Sequence, residues 1–157
     1  MIRSLLARLD SQLPAPTADA HCDGPCGVYD PASARIAAEA AVSMTKKLLA
    51  LEVPSPSDKD AYVKYHNTFS RYVRIKDEQA HLCKEELLVL WTDFIKPQHV
   101  AANPEIHNIF WKAAKLCSTV KVHVSLEAAN ELMDTMEQIH NLFWGIKGRD
   151  VSYYTAS

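Results

Sequence analysis

The sequence predicts an all-α fold, an up-and-down bundle of four helices. Four long stretches carry apolar residues at three- and four-residue steps, which is the period of an amphipathic helix. Only four of the 157 residues are glycine, and few stretches alternate apolar and polar side chains as a half-buried strand does. Amphipathic helices joined by short connections bury their apolar faces most simply in a bundle.

Capping signals define the first two helices. Asp is a favourable N-cap and Pro suits the first helical position, so the first helix is expected to begin at Asp30-Pro31 and to end near Glu52. The second helix is predicted over 59–95, with Ser57 or Asp58 available as its cap.

The apolar spacing predicts which face of each of these helices is buried. The predicted face of the first helix consists of Ile36, Ala40, Met44 or Lys47, Leu48 and Leu51. The predicted stripe of the second consists of Tyr62, Tyr65, Phe69, Tyr72, Ile75, Gln79, Leu82, Leu87, Leu90 and Phe94. Because the second helix is long enough to extend beyond its neighbours at about 1.5 Å per residue, its aromatic part can serve the core or subunit contacts.

Two further helices complete the predicted bundle, which covers residues 31–148. An Asn-Pro-Glu signal at 103–105 starts the third helix, and Ser125 can cap the fourth. Gly145 and Gly148 are expected to end the fourth helix. The remaining residues, 149–157, are expected to form a loosely ordered tail.

Composition argues against several classes of protein. Seventeen basic and nineteen acidic side chains nearly cancel, and a net charge of −2 does not favour a nucleic-acid partner. No apolar run approaches the roughly 18 residues that a membrane span needs. The four cysteines are too few for a disulfide-rich secreted scaffold. Cys83 and Cys117 lie within helical patterns, where we expect buried free thiols.

The first twenty residues are not predicted to be part of the bundle. Their short leucine-containing patch is interrupted by Arg8 and Asp10, whereas a secretory signal needs about 7–15 continuous apolar residues. Ala18-Asp19-Ala20 nevertheless has the form of a cleavage site. Residues 1–20 are therefore either a disordered tail or, on the sharper hypothesis, a propeptide removed by a processing protease.

Directly after this segment, "HCDGPC" places His21, Cys22 and Cys26 within six positions. A structural zinc ion usually takes four protein ligands, and two adjacent ligands meet one tetrahedral ion poorly. A disulfide between the two cysteines would close a very small loop and leave the histidine unexplained. A thioredoxin-type redox pair would need Cys-x-x-Cys near a βαβ unit, which is absent from the pattern.

Cleavage between Ala20 and His21 would change this chemistry. His21 would then carry a free amine, and this amine, its imidazole and the backbone nitrogen of Cys22 can face one metal ion, with two thiolates completing the set. Two nitrogens and two sulfurs in a plane favour Ni(II) or Cu(II) over zinc. Such strong electron donors also make a Ni(II)/Ni(III) couple plausible.

The stretch "HCDGPCGVYDPASARI", residues 21–36, closely resembles the nickel hook of nickel-dependent superoxide dismutases. Weaker similarity continues through "LLVLWTDFIKPQH" at 87–99, "NPEIH" at 103–107 and "IHNLFW" at 139–144. The resemblance implies a four-helix bundle with an N-terminal metal-binding hook over residues 21–30, assembled as a homohexamer. It also implies one nickel ion per subunit and dismutation of superoxide to oxygen and hydrogen peroxide by Ni(II)/Ni(III) cycling.

The resemblance further implies roles for five residues of the hook. The His21 amine, the Cys22 backbone nitrogen and the thiolates of Cys22 and Cys26 would bind nickel equatorially. The His21 imidazole would bind axially when nickel is oxidised. Asp23 would fix the hook by hydrogen bonds, and Tyr29 would line the substrate channel and order water.

The sequence departs from the family pattern near the axial imidazole. Relatives orient it with a glutamate in the first helix and an arginine in the second, but those positions here hold Ala37 and Gln79. Glu39 or Glu78 are candidate substitutes. A second tyrosine, common in relatives three residues after the tryptophan, is replaced by Phe94.

Two other functions are compatible with the same residues. A nickel or copper carrier would use the hook without turnover, and a helical interaction protein would close its cysteines into a disulfide. Lys96 is a candidate for attracting the superoxide anion, because a slightly acidic protein needs local positive charge for this purpose. The interrupted leader and the resemblance favour the cytoplasm, with a dedicated protease.

Overall fold

The computed structural model describes residues 27–156, and this part of the chain is all-α, as predicted. The α-helices are α1 (Ala32–Leu49), α2 (Lys59–Val89), α3 (Pro97–Ala102), α4 (Ile106–Val122) and α5 (Leu126–Ile146), and a π-helical turn (Leu90–Phe94) follows α2. The predicted propeptide 1–20 lies outside the described residues, and so do His21, Cys22, Asp23 and Cys26 of the hook.

The four long helices form the predicted bundle. α1 packs against α2 and α5, and α4 closes the ring by packing against the same two helices. Each long helix contributes buried apolar side chains to one continuous core. The short helix α3 and the π-helical turn were not predicted, and α1 ends at Leu49 rather than near Glu52. No helix in the described part of the chain is long and apolar enough to cross a membrane.

The predicted buried face of α1 is largely wrong. Ile36, the most hydrophobic residue of that face, is 57% exposed, whereas Leu48 is buried as predicted. The observed core face is made mainly of small side chains, namely Ala34, Ala37, Ala38 and Ala41. Small side chains let neighbouring helices approach closely, so packing volume rather than hydropathy selects this face.

The predicted stripe of α2 is buried only in part of its second half, where Leu82 is itself 40% exposed. Leu87 is buried in the core as predicted, together with Ala80 and Cys83. In the first half, Tyr62 is 40% exposed and Phe69 is 38% exposed. The aromatic part of α2 therefore lies largely at the surface of the single chain.

A buried lysine joins α2 to the end of α4. Lys76 is 2% exposed, and its Nζ donates hydrogen bonds to the backbone oxygens of Val120 and of Lys121, the latter at 2.8 Å. These carbonyls belong to the last turn of α4, where no intrahelical donor reaches them. Burial lowers the pKa of Lys76, but the carbonyl oxygens satisfy the donors of the ammonium group.

Local signals define both ends of α5, but Gly145, which was expected to end the helix, lies within its last turn. The Ser125 hydroxyl accepts a hydrogen bond from the Ala128 N–H at 3.2 Å, which caps the helix. At the other end, Gly148 has φ +65°, and the Arg149 N–H donates to the Trp144 oxygen at 2.9 Å. This is a Schellman C-terminus, which requires a left-handed residue that glycine supplies without strain.

Residues 149–156 have no regular secondary structure, but they are held more tightly than the predicted loose tail. His140, which lies on α5, donates a hydrogen bond from Nε2 to the Val151 oxygen at 2.7 Å. The Arg35 guanidinium lies 4.4 Å from the ring centre of Tyr154. The tail therefore lies across α5 and α1 rather than extending away from the bundle.

Candidate functional site

The described structure begins at the junction between the predicted hook and α1. Gly27 has φ +65°, a left-handed conformation that other residues adopt only with strain. Asp30 Oδ1 accepts a hydrogen bond from the Ala32 N–H at 2.8 Å, and Pro31 is buried with helical dihedral angles. The prediction that this Asp-Pro pair starts the helix is thus confirmed, and the described residues just before α1 are fixed to the start of that helix.

Tyr29 lies on an aromatic platform formed by Phe94 and Phe143. Its ring centre is 5.6 Å from that of Phe94, and the two platform rings are 4.5 Å apart. Tyr29 is half-buried, which leaves its ring partly open to solvent. The structure therefore brings together the only phenol of the predicted site and the phenylalanine that replaces the second tyrosine of relatives.

The sequence reasoning missed a positive charge at this platform. Lys147 Nζ lies 5.3 Å from the ring centre of Phe94 and 5.8 Å from that of Phe143. Both distances are within the range of cation–π attraction. The signal was present in the sequence, because residues 143 and 147 are one helical turn apart, but the contact with Phe94 depends on how α5 packs.

Two histidines beside the π-helical turn were also missed. Trp91 Nε1 donates a hydrogen bond to His107 Nδ1 at 2.8 Å. The Lys96 N–H donates to His99 Nδ1 at 3.1 Å, and the His99 ring centre is 5.6 Å from that of Phe94. In both imidazoles Nδ1 accepts, so the neutral ring carries its proton on Nε2.

The two glutamates considered as partners of the axial imidazole are engaged elsewhere. Glu39 Oε2 accepts from Arg35 at 3.2 Å, and Glu78 Oε1 accepts from Arg74 at 2.7 Å. Ala37 is 1% exposed within the core. Among residues 27–156, no three or more His, Cys, Asp or Glu side chains are grouped closely enough to hold a metal ion.

The bundle, together with the His- and Cys-bearing segment that leads into it, defines the chain as a helical metalloprotein. A sequence model of nickel-containing superoxide dismutase matches residues 16–147, which include the hook. The chain belongs to this family. It is an oxidoreductase with a nickel cofactor, and it converts superoxide to oxygen and hydrogen peroxide.

The chain matches two bacterial relatives over nearly the whole length of each relative. The nickel superoxide dismutase of Streptomyces seoulensis is 36% identical over 143 residues, which cover 91% of this chain and 98% of the relative. That of Streptomyces coelicolor is 34% identical over the same shares of the two chains. The predicted dismutase function is confirmed in preference to a metal carrier without turnover.

Solved structures agree with this assignment. The native structure of nickel superoxide dismutase has a TM-score of 0.71 and 33% identity, covering 82% of this chain and 100% of the solved one. A structure with the nickel ligation of the oxidised state has a TM-score of 0.70 and 36% identity over the same shares. The predicted all-α fold of the bundle is thus confirmed by neighbours as well as by the helices themselves.

Proposed function

We propose that the dismutase becomes active when the chain is cleaved between Ala20 and His21, and that residues 21–30 form its nickel site. The donors would be the His21 amine and imidazole, the Cys22 backbone nitrogen, and the thiolates of Cys22 and Cys26. Nitrogen and thiolate donors suit nickel, which when bound supplies one-electron redox chemistry. Asp23 would hold the hook in shape by hydrogen bonds.

The observation that carries this proposal is the position of Tyr29. It follows Cys26 by three residues, and its ring rests on Phe94, so the chain leaving the hook is anchored to the bundle. The phenol would line the approach to the hook and order a water molecule there. Lys147, beside the same platform, would supply local positive charge for an anionic substrate, and Lys96 is a second candidate.

The decisive experiment compares three forms of the protein in the presence of nickel. One starts at His21, one keeps Ala20 before it, and one is the full chain 1–157. We expect nickel binding and rapid superoxide consumption only in the first, because only there is the His21 amine free. Dismutase activity in the uncut chain would contradict the requirement for cleavage.

The ligands can be tested with serine substitutions in the form that starts at His21. Cys22→Ser or Cys26→Ser should abolish nickel binding and activity, because each removes a thiolate donor. Cys83→Ser is the matched control, since this buried cysteine lies in the core and is not a proposed ligand. Full nickel content in either hook variant would exclude that thiolate as a ligand.

We also propose a cytoplasmic homohexamer with one nickel ion per subunit, matured by a dedicated protease. The exposed aromatic side chains of α2, among them Tyr62 and Phe69, support subunit contacts. The leader without a continuous apolar stretch supports the cytoplasm. Sedimentation equilibrium of the nickel-loaded form, with elemental analysis of the same sample, tests both the number of subunits and the nickel content.

A further inference from the structure

Two cysteines lie side by side between α2 and α4. Cys83 and Cys117 are both buried free thiols, as predicted, and their sulfur atoms are 3.5 Å apart. A disulfide bond is about 2.05 Å long, so the two sulfurs would need to approach by about 1.5 Å. Neither residue belongs to the proposed nickel site.

A cavity reaches one member of this pair. Its volume is about 290 Å³, and Cys117 lies on its wall together with Lys84 and Lys121. A water molecule occupies roughly 30 Å³ of liquid, so the cavity has room for hydrogen peroxide and several waters. Both residues are at most 1% exposed, but only Cys117 borders the cavity.

The surroundings of the two sulfurs also differ in chemistry. The hydrogen bond with Cys117 and burial raise the pKa of the Cys83 thiol well above its usual value, so Cys83 stays protonated at neutral pH. Thiolates rather than thiols attack peroxides. Because Cys117 borders the cavity and Cys83 does not, Cys117 is the better placed of the pair to react first.

We propose that Cys83 and Cys117 form a peroxide-sensitive dithiol, which hydrogen peroxide entering the cavity oxidises to a disulfide. Cys117 loses its proton and its sulfur attacks one oxygen, the O–O bond breaks, and the departing hydroxide takes up that proton to become water. The sulfur of Cys83 then attacks the resulting sulfenic acid. An S–S bond forms, the S–O bond breaks, and a second water leaves with the proton of Cys83.

In balance, two thiols lose two electrons and one hydrogen peroxide becomes two waters. The oxidant is the product of the enzyme's own reaction, and return to the dithiol requires an external thiol reductant. The new bond would tie α2 to α4 across a separation of 34 residues. Closing such a loop stabilises a fold mainly by restricting the unfolded chain.

The cross-link can be measured without relying on dismutase turnover. Nickel-loaded enzyme and a full-length Cys22→Ser/Cys26→Ser variant are treated with added hydrogen peroxide, alkylated and digested for peptide mass spectrometry. We expect a peptide pair joining Cys83 to Cys117, lighter by two hydrogens and split by dithiothreitol. We also expect the melting temperature to rise by roughly 5 °C or more on oxidation. Alkylation of both cysteines after this treatment would overturn the proposal.

Single substitutions test the order of the two steps. In Cys83→Ser, Cys117 should be trapped as a sulfenic acid by dimedone, whereas in Cys117→Ser the Cys83 thiol should remain unmodified. The opposite pattern would overturn the order. Circular dichroism establishes that each variant is folded, and the cross-link in the chain that retains both cysteines tests the proposal independently of these variants. Because the peroxide is added, an inactive nickel site would leave these outcomes unchanged.

Discussion

Lys76→Met should destabilise the bundle by about 2–3 kcal/mol, because it leaves carbonyls at the end of α4 without their donor. Hydrogen bonds from a charged group contribute about 1.5–3 kcal/mol each, and Lys76 makes close ones to Val120 and Lys121. Methionine keeps the length of the apolar stem, so little packing is lost. Part of the loss is offset, because no ammonium group then has to be buried.

The assay is urea unfolding of full-length protein at one fixed concentration, since oligomerisation makes stability depend on concentration. The midpoint should fall with an unchanged slope, and the melting temperature should drop by roughly 5–10 °C. Lys84→Met is the matched control. Its ammonium donates only to the Ser118 hydroxyl at 3.1 Å and is half-exposed, so we expect a loss below about 1 kcal/mol. Equal losses in the two variants would refute the capping role of Lys76.

Further predictions concern three residues, two at the start of α1 and one in the tail. Asp30→Ala should cost about 1 kcal/mol in urea unfolding by removing the acceptor of the Ala32 N–H, whereas Asp30→Asn should cost less. Tyr29→Phe should keep its nickel while superoxide turnover falls by less than about a hundredfold, since in the proposed role the phenol would order water rather than hold metal; nickel loss would contradict this. Tyr29→Ala should also loosen the hook, because contact with Phe94 is lost. Burial raises the pKa of Tyr153 above 10.0, so the unfolded chain ionises first and stability falls as pH rises above about 10. Tyr153→Phe should reduce that fall in pH-dependent unfolding, and an unchanged fall would assign it to another group.

The parts of the fold that depend on local chemistry were predictable. Asp58 caps α2, accepting from the Ala61 N–H at 3.1 Å, and Ser125 caps α5, because capping involves residues only three positions apart. The buried face of α1 was not predictable in the same way. Hydropathy favours Ile36, but the close approach of neighbouring helices requires alanines, and that requirement depends on helices distant in sequence.

The candidate site shows the same division. The motif at residues 21–36 predicted the family and singled out Tyr29, because all of its residues are close together in the sequence. The platform beneath Tyr29 joins the π-helical turn to α5, and Lys147 reaches it from the C-terminal end of α5. The buried state of Cys83 and Cys117 was predicted from helical spacing, but their 3.5 Å separation depends on how α2 crosses α4.

The departures from the family pattern now have a structural meaning. Ala37 lies in the core of small side chains, so a glutamate there would have to bury its carboxylate or displace neighbouring helices. Glu39, two residues further on, is not an available replacement: Oε2 accepts from Arg35 and Oε1 accepts from the Ala156 N–H at 2.7 Å. The tail therefore binds the Glu39 carboxylate, which the sequence suggested as a partner for the His21 imidazole.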